Sequence, residues 1–237
     1  MCTVSYIPYH EGFILTSNRD ESPFRETIKP RKIQLNTHNE VFAPLDKENG
    51  GTWIALDVNR KKAACLLNGA FVKHHRKLPY RKSRGLIVLE SFQHPSFAAF
   101  VNAVSLENIE PFTLILAEKD NLRVLVWDGV KKHEQILDST KSYLWSSSTL
   151  YNIREKQEKE KVFENFLENF PVAPNTVFDL HGKQQKPHFI LDREEVKTVS
   201  ITQILVNTKK ASLNYYPLPL TKEFFFLEEG SGIYETD

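Results

Sequence analysis

The sequence predicts an α+β fold, a four-layer αββα sandwich in which two antiparallel sheets stack and helices cover their outer surfaces. Three observations lead there. Short strand-like runs are joined by short polar turns, and such turns make antiparallel hairpins. Several runs, TWIAL, AACLL, FTLILA and LRVLVW, are apolar at successive rather than alternate positions, so both of their faces are covered. Helical blocks lie between and after them and supply the outer cover.

The elements follow in chain order. Cys2–Ile7 and Gly12–Ser17 read as a first hairpin. The segment Pro23–Pro44 is polar and irregular, and reads as a surface loop that roofs or borders a site. Thr52–Leu56 and Ala63–Asn68 form a second hairpin around DVNRKK. Ser83–Phe92 reads as a helix with Ser83 as N-cap, and HPSFAAFVNAV follows it, with Pro95 suited to a helix start. Phe112–Glu118 and Leu122–Trp127 form a third hairpin around EKDN. Thr149–Phe170 is the longest helix. Its Leu150, Ile153, Phe163, Phe166 and Leu167 recur at helical spacing, and Pro171 stops it. The EKQEKEK run within it reads as a solvated face. His188–Asp192, Val199–Val206 and Glu223–Leu227 complete the strands. No repeat and no Pro/Gly/Ser-rich linker divides the chain, so one domain over 1–237 is expected.

Composition narrows the function. Lysine plus arginine is 31 and aspartate plus glutamate is 30, a net charge of +1, without the basic excess of a dedicated nucleic-acid binder. Nine glycines in 237 residues leave little for glycine-rich phosphate loops. Two cysteines make no disulfide scaffold, and Cys65 lies in an apolar run and reads as core. MCTVSYIPYH lacks a positive region followed by an apolar one, and no stretch approaches the ~18 apolar residues of a membrane span. A cytoplasmic location is therefore expected. None of these patterns fixes an oligomeric state.

Few residues are placed to do chemistry. There is no CxxC, HExxH or GxSxG. His74 and His75 are adjacent and point apart on any regular element. Cys2 stands out by position: removal of Met1 would make it N-terminal, and its own α-amine, with an ordinary pKa of about 7.7–8.0, could take the proton of its thiol. The alternative is a small buried strand residue. Asn18, Arg19, Asp20 and Glu21 end the strand that folds back beside Cys2. An arginine and a carboxylate there would lower the thiol pKa and orient the amine; otherwise they are a surface ion pair. Asn68 ends an apolar strand, where its amide could donate to an oxyanion or simply share turn chemistry with Gly69. Ser147, in the cluster WSSS, either caps the long helix, as Ser148 could, or lines the site.

These residues resemble a known family. Met1-Cys2, Asn18-Arg19-Asp20-Glu21, and the run Gly50-Gly51-Thr52-Trp53-Ile54-Ala55-Leu56 before the Asn68 strand are similar to the NRDE family, the transport and Golgi organisation protein 2 group. Ser83-Arg84-Gly85-Leu86 is a further shared element. The resemblance implies a branch of the N-terminal-nucleophile hydrolases, with their αββα sandwich. It implies Cys2, Arg19, Asp20 and Asn68 as catalytic residues, and Asn18, Glu21, Trp53 and Ser147 as substrate-binding ones, with no metal. Cysteine relatives such as bile-salt hydrolases and acid ceramidases place an arginine sixteen positions after the nucleophile. Here that place is Asn18, and Arg19 is the seventeenth. One step on a strand reverses the side chain. Either a bulge returns Arg19 and Asp20 to the site, or Asn18 and Glu21 face it. The family's GLSN-like stretch is Trp145-Ser146-Ser147-Ser148 here, and its later arginine is replaced near Val199 or Ser200.

Two function classes follow. One is a hydrolase of non-peptide carbon–nitrogen bonds with Cys2 as nucleophile. The other is a binding or trafficking protein that reuses the fold; the resemblance implies haem or a lipid metabolite as cargo, with no cofactor otherwise. His10, His74, His75 and Cys2 are the side chains available to haem iron.

Overall fold

The computed structural model of the protein describes residues 3–182, 189–219, 224–226 and 234–236. In chain order they form β1 (Thr3–Pro8), β2 (Phe13–Glu21), β3 (Thr27–Gln34), β4 (Glu40–Asp46), β5 (Ile54–Asp57), β6 (Lys62–Asn68), α1 (Arg84–Ser91), α2 (Phe97–Ala103), β7 (Phe112–Glu118), β8 (Asn121–Trp127), β9 (Lys132–Leu137), β10 (Tyr143–Ser146), α3 (Ile153–Asn169), α4 (Pro174–Gly182), β11 (Lys197–Val206), β12 (Ala211–Pro217), β13 (Phe224–Phe226) and β14 (Tyr234–Thr236).

The strands pair into two seven-stranded sheets. The first runs β10-β1-β2-β11-β12-β13-β14 and the second runs β3 through β9 in sequence order. Each strand pair is antiparallel. Three apolar clusters separate the four layers. Val4, Tyr6, Phe13 and Leu15 of the first sheet meet Ile54, Leu56, Cys65 and Ile115 of the second. Leu114, Leu116 and Leu125 on the outer face of the second sheet pack under Ile87 and Val88 of α1 and Phe97 and Phe100 of α2. Ile7, Ile14 and Leu205 on the outer face of the first sheet pack under Phe163 and Phe166 of α3 and Val177 and Leu180 of α4. This explains FTLILA: Leu114 and Leu116 face helices while Ile115 and Ala117 face the other sheet. The expected αββα sandwich is the fold, and Cys65 is core.

Several boundaries differ from the sequence reading. Pro23–Pro44 is not irregular: most of it is the β3–β4 hairpin at the edge of the second sheet, and its Arg25 borders a cleft lined also by Arg19 and Trp53. Its polar character is that of an edge strand, whose outer side chains meet water. The long helix begins at Ile153, capped by Asn152 and Glu155 in a reciprocal capping box, so neither Ser147 nor Ser148 caps it. Ser83 sits at the start of α1 without a side-chain cap bond, and Ser96 caps α2. Of His188–Asp192, His188 lies outside the described residues and the rest is irregular apart from a bridge at Asp192. Of Glu223–Leu227, Phe224–Phe226 is a strand, and its two ends lie outside the described residues.

Candidate active site

Strand parity decides which NRDE side chains meet. Phe13 and Leu15 of β2 face the second sheet, and Ile14 faces the helices. Alternation then puts Ser17, Arg19 and Glu21 on the inter-sheet side, and Thr16, Asn18 and Asp20 on the helical side. The strand continues to Glu21, and the register shift falls in its neighbour β11, between Thr198 and Ser200. Neither expected pairing, Arg19 with Asp20 or Asn18 with Glu21, therefore shares a face. The pair that does is Arg19 with Glu21.

Arg19 and Glu21 line a cleft of about 410 Å³ together with Trp53, Asn68, Arg25 and Asp46. Arg19 is fully buried. Its Nη2 donates to Asp46 Oδ2 at 2.9 Å, its Nη1 to the Arg25 carbonyl at 3.3 Å, and its guanidinium lies 4.5 Å from the centre of the Trp53 ring. Arg25 Nε also donates to Asp46 Oδ2, at 2.7 Å. Burial pushes the Asp46 carboxyl up, but the hydrogen bond and charge of Arg25, the Asn49 backbone N–H and the charge of Arg19 outweigh it and hold the group below its ordinary value. The opposite wall carries Arg76, Lys82, Arg84 and Glu110. Arg84 Nη2 and Arg76 Nε lie 3.2 and 3.3 Å from the Glu110 carboxylate. Burial lowers the Arg84 pKa to about 10, against the pull of Glu110. The group remains a cation at neutral pH. Five cations thus line the cleft against three carboxylates, Glu21, Asp46 and Glu110.

Two glycines let the walls close. A Cβ on Gly51 would lie 2.7 Å from the Gly85 backbone, and one on Gly85 would lie 2.8 Å from Thr52 N. The GGTW and SRGL segments thus meet backbone to backbone, and Thr52 N donates to the Gly85 carbonyl at 3.2 Å. Among the described residues, three buried polar atoms in the cleft have no hydrogen-bond partner: Arg19 Nε, Trp53 Nε1 and the Asn68 amide oxygen. Unpaired buried polar groups are costly, and three in one cleft mark a place for a polar ligand or water.

Residues 1–216 match the family described as transport and Golgi organisation 2. The chain belongs to that family. Among curated proteins none matches it in sequence. Among solved structures it is similar to penicillin V acylase from Agrobacterium tumefaciens, an N-terminal-nucleophile hydrolase. The TM-score is 0.56, over 96% of this chain and 86% of that one, with 10% identity. Identity that low speaks for the fold alone.

Asp20, Asn18, Ser147 and His10 of this transport and Golgi organisation 2 family member do not line the cleft. Cys2 lies outside the described residues. Asp20 accepts from Tyr151 Oη and Thr198 Oγ1, both at 2.6 Å, on the helical side. Asn18 belongs to a buried chain there: its Nδ2 donates to the His181 and Phe189 carbonyls, so its Oδ1 must accept from His181 Nδ1–H. His181 Nε2 then accepts from the Ser5 hydroxyl at 2.7 Å. Serine, histidine and asparagine here resemble a hydrolytic triad, but Ser5, His181 and Asn18 are each 0% exposed, so the chain ties α4 to the sheet. Ser147 also stays out of the cleft: its Oγ donates to the Asn68 carbonyl at 2.8 Å, a clamp between the two sheets that holds Asn68 in place. Asn68 lines the cleft, and Gly69 turns the chain at φ +84°. His10 sits at the β1–β2 turn, at the far end of β2 from Arg19, and His74 is bound to Glu110, so the two share no site.

Sequence reasoning missed Arg25, Asp46, Arg84 and Glu110 in the cleft. Arg84 stood in a motif that was noticed but given no role. It also missed Lys159, the one buried residue of EKQEKEK, whose Nζ donates to Thr3 Oγ1 at 2.6 Å and lies 3.7 Å from the centre of the Tyr151 ring.

Proposed function

We propose that the cleft is an amide-hydrolysing site in which Cys2, made N-terminal by removal of Met1, is the nucleophile. The observation that carries this reading is the β1–β2 register. Thr3 pairs with Asn18 and turns its side chain toward Lys159 on the helical side. Arg19, the next position on β2 after Asn18, turns to the cleft side, and in this reading Cys2 meets it there. The chemistry then balances. The α-amine takes the thiol proton, the thiolate attacks the amide carbonyl carbon, and Asn68 Nδ2 donates to the oxygen as it gains charge. The ammonium returns the proton to the leaving nitrogen, the C–N bond breaks, and a thioester remains. Water, deprotonated by the freed amine, hydrolyses the thioester to a carboxylate and restores the thiol. The cationic Arg19 favours the thiolate.

The test combines intact mass with kinetics. Native protein should lack Met1, and Cys2→Ala should abolish hydrolysis of simple N-acyl amides while the fold persists. Retained Met1, or hydrolysis unchanged in Cys2→Ala, refutes the mechanism.

The excess of cations in the cleft favours a second reading, an anionic cargo such as haem held without turnover. In that case the wild type hydrolyses no amide, haem shifts its Soret band on binding, and Arg84→Ala weakens that binding.

A further inference from the structure

Residues 69–89 contain six basic side chains, Lys73, Arg76, Lys77, Arg81, Lys82 and Arg84, and no aspartate or glutamate. In a chain of net charge +1, this is a concentrated patch. Its first part is an irregular loop between β6 and α1 that forms one wall of the cleft. The inner side of the loop is fixed. His74 and Arg76 reach Glu110, Arg81 donates to the Glu107 and Ser105 carbonyls, and Lys77 N donates to Tyr80 Oη. The outer side is held more lightly: the Phe71 ring meets the His133 ring edge-on at 5.1 Å, and the Val72 carbonyl accepts from Ser148 Oγ at 3.5 Å. Phe71, Val72 and Leu78 are 58%, 73% and 69% exposed. Lys73 and Lys77 are exposed and make no ion pair among the described residues.

We propose that this loop docks the protein on an anionic lipid surface. Phe71, Val72 and Leu78 enter the headgroup region while Lys73 and Lys77 face lipid phosphates and carboxylates. Membrane anchoring takes two signals, apolar insertion and basic charge, and the loop exposes both within residues 71–78. A polynucleotide would also answer the charge, but it gains from stacking aromatics, and two of the three exposed apolar side chains are aliphatic. Leu78 lines the cleft as well as facing outward, so docking turns the cleft mouth toward the lipid. The proposal stands independently of any reaction at Cys2.

Co-sedimentation of the full chain with vesicles tests it. Vesicles of phosphatidylserine and phosphatidylcholine in equal parts should bind the protein, pure phosphatidylcholine vesicles should bind it weakly, and salt near 0.5 M should release it. Each basic residue near such a surface is worth about fivefold in affinity, so Lys73→Glu with Lys77→Glu should lower affinity by about 25-fold or more. Val72→Asp with Leu78→Asp should also lose binding. Lys161→Glu with Lys209→Glu, the same charge change elsewhere on the surface, should retain it. All variants should keep wild-type circular dichroism and Tm. No binding to the anionic vesicles, equal binding to both kinds, or equal loss in the control pair overturns the proposal. So does binding of single-stranded RNA, lost with the Lys73 and Lys77 changes, in a protein that ignores vesicles.

Discussion

Arg19 sits out of water between a carboxylate and an indole, and removing it leaves Asp46 buried with the partly exposed Arg25 as its nearest cation. Breaking a buried pair costs about 3–5 kcal/mol, and Arg25 keeps the loss near the lower end. Arg19→Ala should therefore unfold at clearly lower denaturant concentration than wild type, with Arg19→Met less affected because it keeps the packing over Trp53. Asn68→Ala separates chemistry from stability. As an oxyanion donor its loss should lower kcat by roughly 10²–10³, with a stability change near 1 kcal/mol. An unchanged kcat would remove Asn68 from the mechanism. His181 gives a pH signature. Burial, then the nearby Lys159 charge, lowers its pKa from 6.5 to about 3. The unfolded chain thus binds a proton that the folded one refuses, and stability falls as pH drops from about 6.5 toward 3. By pH 5 the loss is about 2 kcal/mol, before ordinary carboxylates contribute much. Urea unfolding at pH 7, 6 and 5 should show this slope, and His181→Gln, less stable at pH 7, should be nearly flat across that interval.

Among the elements, α1 touches β5's lead-in segment through Gly85, where an added Cβ would meet Thr52 N at 2.8 Å and Thr52 O at 2.9 Å. Backbone cannot step aside as a flexible side chain can, so Gly85→Ala should cost about 1–3 kcal/mol. In a chain of this size that lowers Tm by roughly 2–4 °C per kcal/mol, readable by calorimetry. Gly50→Ala differs in kind: it has open space around its Cβ, and any cost comes from its φ of +64° alone. β5, β6, β7 and β8 were legible because, covered on both faces, they leave no room for polar interruption, whereas β4, buried from Val41 to Asp46, was missed because it continues the polar segment before it. The edge strands β3 and β9 were not legible, since TIKPRKIQ and KHEQIL are polar where they face water. α4 was hidden by its Pro, Asn, Thr and Val, poor helix formers that tertiary packing overrides. The site was half legible. Its residue types and their place at strand ends could be read, and Arg19, Glu21, Trp53 and Asn68 do meet. Which NRDE members share a face depended on where a bulge fell, and the bulge lies in β11, remote in sequence.

Across the whole molecule, each sheet has an apolar cluster on both faces, and the middle cluster belongs to both sheets at once. Neither sheet can be lifted away without exposing Val4, Phe13 and Leu15 on one side and Ile54, Cys65 and Ile115 on the other. We expect a single unfolding transition, with tryptophan fluorescence and far-UV circular dichroism coinciding and calorimetric and van't Hoff enthalpies equal. Two separated transitions would mean that the sheets belong to different domains.

The order in which strands join the first sheet has a consequence for biosynthesis. The second sheet, Thr27 to Leu137, leaves the ribosome as one continuous run of neighbours. The first cannot: β2 emerges early, but its partner β11 begins only at Lys197. At about 5–20 residues per second the β2 edge of the hairpin waits roughly 10–35 s unpaired, and its β1 edge waits until β10 emerges. During that interval Asn18 and Asp20 lack the His181 and Thr198 groups that later receive them. A premature stop codon between Leu137 and Lys197 would therefore release a complete second sheet beside an open, sticky hairpin. Such a product should be cleared or aggregate rather than persist as a shortened protein.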